Sequence, residues 1–419
     1  MPAAALLPDP QRDVNEMPSR VPPPPLVPLS TLLPAEPLLL MGAGPVPIPH
    51  AVARANGVVI NHLGETMDKV IAAVKAMSRY AFQTNAEKVL GVGGPASGAM
   101  EMAMASFVWP GRKVLCLKSG TFSGRLGEMA LGLGGTVKFL EPEVATPVSA
   151  QAVADAFARE RFDVVTIAQG ETSCGLLNVE LPQIAAIARE HGAIVVVDAV
   201  VTLSTMPMRM DEWGIDAAVT GGQKGLSSIP GVSLIAFSDR AWKVVGERPS
   251  PRSHWCFDAE RAWRFWGYQQ YHYTAPVPGI LALHEALRLI CDETLERRFE
   301  RHRVSSEALQ RGIEAMGLSL FVPRSHRLNS VVAITIPKGV DGARVRKTMS
   351  TQYNVEISGA FGLDVVRIGQ MGEQCRSHNL FKVLYAMGMA FRKEGVKLDV
   401  AAGMAALEEA LSGESESVG

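Results

Sequence analysis

Short apolar runs closed by glycine or small polar residues alternate along this chain with longer stretches of helical periodicity. Lys113–Leu117, Val164–Ala168, the run HGAIVVVDAV that carries Asp198, and Ala217–Val219 read as strands buried on both faces. Val70–Met77, with Lys69 and Lys75 turned outward, Val153–Phe157, Ala343–Tyr353, Leu380–Phe391 and Ala401–Leu411 read as helices, and Pro182 opens another at its first turn. Val89–Met104, VLGVGGPASGAMEMAM, reads as a strand, a turn and a helix start. Ile280–Met316 is expected to be one long helix linking a large domain to a smaller one, with the charged run Glu293–Arg303 as a solvated face. Ser330–Ile336 alternates as a strand, and Val365–Gly369 is a strand containing Arg367. Repeated strand–helix alternation predicts an α/β fold, with a largely parallel sheet covered on both faces and ligands outside the strand C-termini.

Composition narrows the function. The 419 residues are 47% hydrophobic and 20% charged with a net charge of −1, which leaves ample core and no electrostatic case for nucleic acid or an anionic membrane. Five widely spaced cysteines show no CxxC or Cys/His ligand spacing, so neither a disulfide frame nor a metal site is expected, and a reducing cytoplasm fits. Leu38–Met41 is far too short to span a bilayer, and no secretion signal or membrane anchor is expected. Residues 1–37 are proline-rich and expected to be an extended or disordered arm, and residues 413–419 an acidic tail. No internal repeat is evident.

The chemistry centres on Ala218–Gly231, AVTGGQKGLSSIPG. One lysine, Lys224, follows a buried strand and is walled by small residues that leave room for a flat ring. Desolvation would lower its pKa and free its amine for Schiff-base chemistry. A surface lysine in a turn is the plain alternative. Asp198, a carboxylate at the end of a second buried strand, changes the balance, because lysine and aspartate at strand ends match the pyridoxal phosphate pattern. The helix start at Pro95-Ala96-Ser97-Gly98 is a ready anion site. A dinucleotide loop is the rival there. It fails because GxGxxG is not met and no acidic residue ends a second strand about twenty residues on.

VVVDAV, then GGQKGLSSIPG with Lys224 twenty-six residues after Asp198, then VVRIGQMG together resemble the class V, fold-type I pyridoxal-phosphate aminotransferases. The likeness runs from about Met41 to about Met389, is nearest in pattern to alanine–glyoxylate and serine–glyoxylate aminotransferases, and has echoes of pyridoxamine–pyruvate aminotransferase. It implies a large domain, residues 38–300, with a mostly parallel seven-stranded sheet, and a smaller α+β C-terminal domain, residues 301–412. It also implies a homodimer with shared active sites, whose substrates are a small amino acid and a 2-oxo acid such as glyoxylate or pyruvate. Lys224 would form the Schiff base and move the α-proton, and Asp198 would hold the ring nitrogen protonated. Ala96, Ser97, Gly98, Phe122, Thr172, Val200 and Gln223 would complete the cofactor site, with Phe122 stacked on the ring. Arg367 and Gly44 would meet the substrate. Tyr271 and Thr274, in YHYTAPV, would cross to the partner's cofactor phosphate. Pro95 departs from the family's phosphate-binding tripeptide and removes one N–H. Three rivals stay open: a lyase or desulfurase using Cys375, a pyridoxamine–pyruvate enzyme (disfavoured by Ala360 where a second arginine is expected), and a non-enzymatic cofactor binder.

Overall fold

The computed structural model describes residues 24–249 and 251–412, so the expectations for most of the arm and for the acidic tail lie outside the described residues. The chain forms two units, Met1–Pro37 and Leu38–Gly419. Within the first, one helical turn, Leu29–Leu32, forms where an extended arm is expected. Pro28 sits at its N-cap, a position that needs no proline N–H.

The second unit is built on a seven-stranded sheet. Its strands in chain order are β1 (Lys88–Gly93), β2 (Lys113–Leu117), β3 (Thr136–Leu140), β4 (Val164–Ala168), β5 (Ile194–Asp198), β6 (Ala217–Gly221) and β7 (Val232–Phe237). They lie in the order β1-β7-β6-β5-β4-β2-β3. All neighbours are parallel except β7, which runs antiparallel between β1 and β6. Strands β4 to β7 are buried at every position, as continuous apolar runs covered on both faces should be. Helix α1 (Ala96–Phe107) follows β1 and α2 (Thr121–Gly132) follows β2, so both begin at the edge where Asp198 and Lys224 emerge. The aromatic stretch before Ala275 is divided: Trp263, Phe265 and Trp266 are buried, whereas Trp255, Tyr268 and Tyr271 are exposed. Trp266 lies so close to β1 that a β-carbon on Gly91 would come within 2.1 Å of its ring.

A three-stranded antiparallel sheet, β8 (Val331–Thr335), β9 (Ser358–Gly359) and β10 (Val365–Gly369), has β10 at its centre. Helices Gly342–Tyr353, Ser377–Lys393 and Val400–Ser412 enclose a second apolar cluster with it. The strand expected to alternate does not: Val331 to Ile334 are all buried, because β8 is covered on both faces.

The expected long linking helix is two. The first, α3 (Val277–Glu293), ends where Thr294 adopts φ 66° and ψ 152°, and α4 (Leu295–Ala315) begins there. The Thr294 hydroxyl caps the new helix, and the Leu295 N–H donates to the Tyr80 hydroxyl at 2.9 Å. Nor is Glu293–Arg303 a solvated face throughout. Arg298 and His302 are buried, and Glu293 pairs with Arg298 at 2.8 Å and Arg301 at 2.6 Å. Lys75 likewise lies 4.3 Å from the Trp263 ring centre instead of pointing freely outward.

Candidate active site

Adjacent parallel strands deliver the two central groups. Asp198 ends β5, and in the β5–β6 register it faces Val219, five residues before Lys224. Lys224 follows the turn out of β6. Its Nζ donates to the Ala43 carbonyl at 2.5 Å, and the chain at Gly44 passes directly over it: a β-carbon on Gly44 would lie 2.6 Å from Nζ. Only a glycine, here at φ +103°, permits that approach. The Lys224 ammonium is pushed down to about 8, first by burial and then by the Arg367 charge, with Asp198 opposing.

Asp198 is buried, and its carboxylate accepts one hydrogen bond among the described residues, from the Val200 N–H at 2.8 Å. Burial drives its carboxyl up to about 7; the Val200 amide pulls it down, Glu171 raises it, and Lys224 and Arg125 lower it. A buried carboxylate with so little support calls for a cationic N–H partner, which a protonated pyridine supplies.

The anion end of the site lies beside the lysine loop. A β-carbon on Gly221 would come within 3.0 Å of the Ala96 side chain and 2.8 Å of Gln223 Oε1, so β6, Gln223 and the start of α1 meet there. Ala96 and Ser97 open that helix, where amides have no intrahelical acceptor. The Gly98 N–H is already turned back to the Pro95 carbonyl at 2.8 Å. Pro95 occupies the N-cap itself, so its missing N–H leaves the first-turn amides untouched. Gln223 Oε1 and Thr220 Oγ1 are buried without a partner among the described residues. These features fit a phosphorylated pyridine.

Arg367 is buried in the central strand β10, not on an edge. Its Nη1 donates to the Thr172 carbonyl at 2.7 Å, and its Nε to the Gly359 carbonyl at 2.9 Å. Thr172 is thus engaged through its backbone, and no protein group among the described residues holds its hydroxyl. Phe122 is partly buried in the first turn of α2, with the Arg125 guanidinium 4.6 Å from its ring centre. Tyr271 and Thr274 are not part of this constellation: both are exposed on the chain's surface. Cys375 is buried and its thiol is pushed up to about 11, so it is not a reactive thiolate.

Two supporting residues escaped the sequence reading. Glu171, fully buried, accepts from the Phe122 and Ser123 amides at 3.2 and 2.9 Å and from the Ser173 amide at 3.0 Å. It ties the start of α2 to the loop that carries Thr172. Its only signal was its place in GETSCG. Arg298 donates to the Gly225 carbonyl at 2.7 Å and to Ser204 Oγ at 3.3 Å, fixing the chain just after Lys224. No local motif marks it.

A half-buried lysine and a buried aspartate delivered by adjacent strands, with a helix N-terminus at the same edge and an arginine from the second sheet reaching the Thr172 carbonyl, define a fold-type I pyridoxal-phosphate site. Residues 50–382 match the aminotransferase class-V family model, and the chain belongs to that family. It is 33% identical over 389 residues to the alanine–glyoxylate aminotransferase of Drosophila melanogaster, covering 90% of this chain and 98% of the relative. The crystal structure of ureidoglycine–glyoxylate aminotransferase from Bacillus subtilis superposes with a TM-score of 0.87 at 30% identity, covering 91% of this chain and 99% of that one. That of pyridoxamine–pyruvate aminotransferase from Mesorhizobium loti gives 0.86 at 28%, covering 91% and 98%. The chain is a pyridoxal-phosphate-dependent aminotransferase.

Proposed function

We propose that the enzyme moves an amino group from a small amino acid, alanine- or serine-like, to glyoxylate or pyruvate. The observation that carries this reading is the delivery of Asp198 and Lys224 from adjacent parallel strands, with the Arg367 charge near enough to act on the lysine. Relatives named for glyoxylate as acceptor support the choice of oxo acid.

Pyridoxal phosphate, when bound, supplies the carbonyl that accepts the amino group and the ring that delocalises charge from the substrate α-carbon. Lys224 Nζ takes the α-proton and returns it, a task suited to an amine whose pKa lies near the working pH. Asp198 keeps a proton on the ring nitrogen, with the Val200 amide fixing its orientation. The amides of Ala96 and Ser97 and the Gln223 side chain hold the phosphate, the expected Gly98 amide being already engaged by the Pro95 carbonyl, while Phe122 covers the ring and the Thr172 hydroxyl is free for its polar rim. Arg367 grips the substrate carboxylate as a planar fork, with Gly44 at the pocket mouth. The chain divides into a large domain, residues 38–300, and a small one, residues 301–412. Two copies form a homodimer in which Tyr271 and Thr274 reach the partner's phosphate. Five free cysteines suit a reducing cytoplasm. Among the described residues no helix is long and apolar enough to cross a membrane.

Purified enzyme given alanine and glyoxylate should form pyruvate and glycine in equal amounts. A donor screen of the common amino acids, run with glyoxylate and with pyruvate, ranks the pairs. Turnover confined to large or acidic donors, or to other oxo acids, overturns the small-substrate assignment.

A further inference from the structure

A cavity of about 550 Å³ lies apart from the constellation just described, and none of Lys224, Asp198, Arg367, Phe122 or Gly44 lines it. It opens between α4, the start of the helix Leu181–Glu190, and the segments around Pro207 and Arg324. We propose that it is a second ligand site, built for a small organic anion that also carries hydrogen-bond donors.

The charge is one-sided. Five arginines line the cavity, Arg209, Arg303, Arg311, Arg324 and Arg327, against two glutamates. Both glutamates are already neutralised: Glu307 pairs with Arg303 at 2.9 Å and Glu314 with Arg327 at 2.8 Å. Among the described residues neither Arg311 nor Arg324 has an acid partner. Their guanidinium groups offer planar forks that match carboxylate or phosphate oxygens.

The need for donors comes from two amides. Gln169 is only 4% exposed; its Nε2 donates to the Pro207 carbonyl at 3.0 Å, while Oε1 is buried without a partner. Asn329 repeats the arrangement: Nδ2 donates to the Thr205 carbonyl at 3.0 Å and Oδ1 is buried and unpaired. Flipping either amide would set oxygen against oxygen, so both orientations are fixed by those carbonyls. Both residues line the cavity, and a buried acceptor left unpaired is costly, so a ligand whose donor reaches either oxygen by a small shift of the lining is favoured. Met206, Pro207 and the half-buried Trp213 add an apolar wall suited to the body of an organic molecule. Phosphate or carboxylate charge, amino or hydroxyl donors and mononucleotide size are the properties this lining selects.

The test uses holoenzyme, whose catalytic phosphate site is filled, and titration calorimetry with three probes. AMP carries phosphate charge with donors, citrate carries carboxylate charge with a donor, and inorganic phosphate carries charge alone. We expect AMP or citrate to bind saturably with Kd at or below about 1 mM, more tightly than inorganic phosphate. Whichever binds identifies the anion type. Arg311→Glu/Arg324→Glu, two surface changes that leave the fold intact, should weaken that binding by roughly tenfold or more while KM for the amino substrates stays unchanged. Gln169→Leu should weaken it separately. Arg367→Lys should not alter it, which separates the cavity from the substrate site. Absence of saturable binding by all three probes overturns the proposal. So does inorganic phosphate binding as tightly as the organic anions, or binding that survives in the double variant.

Discussion

Gly44 stands over Lys224 at a distance no other residue allows: a β-carbon there would meet Nζ at 2.6 Å and the lysine δ-carbon at 2.7 Å. The backbone at Gly44 is also left-handed, at φ +103°. Gly44→Ala therefore strains the chain by about 1–2 kcal/mol and displaces the lysine tip. Its melting temperature should fall modestly, whereas turnover should drop on the order of a hundredfold, as misplacement of a reacting group does. Parallel calorimetry and kinetics check this, and unchanged turnover would remove Gly44 from the site.

Burial and Arg367 hold the Lys224 ammonium down at about 8. At pH 7 roughly a tenth of such an amine is neutral, against a few parts in ten thousand for an ordinary lysine. Apoenzyme treated with trinitrobenzenesulfonate should thus be labelled first on Lys224. The rate should fall about tenfold for each pH unit below the pKa and level off above it. Peptide mapping with mass spectrometry follows the site. Borohydride reduction of holoenzyme should fix the cofactor on the same peptide, and Lys224→Ala should lose nearly all turnover.

Asp198 poses the opposite problem. Its folded carboxyl is raised to about 7 by burial. The sign of the linkage follows directly. Below the unfolded pKa both states are protonated and the residue costs nothing; as pH rises towards 7 the unfolded state ionises first, and folding is penalised. In apoenzyme, Asp198→Asn should therefore be more stable than wild type at pH 8 and nearly equal at pH 4. The gap should reach a few kcal/mol. In holoenzyme the same change should cost several powers of ten in turnover, because the ring nitrogen loses its counter-charge, on the order seen when an orienting carboxylate is lost. Thermal melts across pH, beside kinetics, separate the two effects.

Arg298 joins a buried ion pair to the loop after Lys224. Arg298→Met leaves Glu293 with Arg301 alone and the Gly225 carbonyl with the Ser204 hydroxyl as its one remaining side-chain donor. Denaturant unfolding should show a loss of about 3–5 kcal/mol, the usual cost of breaking a buried pair from one side. A loss below 1 kcal/mol would show that the network is dispensable.

The contrast between Asp198 and Arg298 shows what the sequence could reveal. Asp198 and Lys224 were legible because each ends a short apolar run, and strand ends on a parallel sheet share one edge by topology. Arg367 was legible through VVRIGQMG, though its place in a central strand was not, since pairing order is set by long-range contacts. Arg298 and His302 looked like part of a solvated charge run. Helical periodicity cannot tell a buried arginine from an exposed one when its acceptors, Gly225 and Ser204, are more than seventy residues away. The break at Thr294 was hidden for a similar reason: the Tyr80 hydroxyl that receives the Leu295 amide comes from a distant helix. Glu171 lies in GETSCG, but a local motif does not show that a carboxylate will be sealed under a helix start.

Assembly gives the last prediction. Tyr271 is 60% exposed and Thr274 is exposed too, as are Trp255 and Tyr268 before them, although Trp263, Phe265 and Trp266 are core. Exposed hydroxyls in a segment that also exposes Trp255 and Tyr268 suit a subunit interface, and neither residue serves its own chain's site. If they complete the partner's phosphate site, each active site draws on two chains and the monomer is inactive. Lys224→Ala and Tyr271→Phe/Thr274→Ala should then each be inactive as homodimers. A heterodimer of the two has one site with both defects and one with neither. Unfolding the variants together and refolding them as a mixture should restore up to a quarter of wild-type activity, since half the dimers are mixed and each carries one intact site of two. Native mass spectrometry counts the heterodimers, and kinetics on the same mixture reads the recovery. Heterodimers present without recovered activity would place both Tyr271 and Thr274 outside the site.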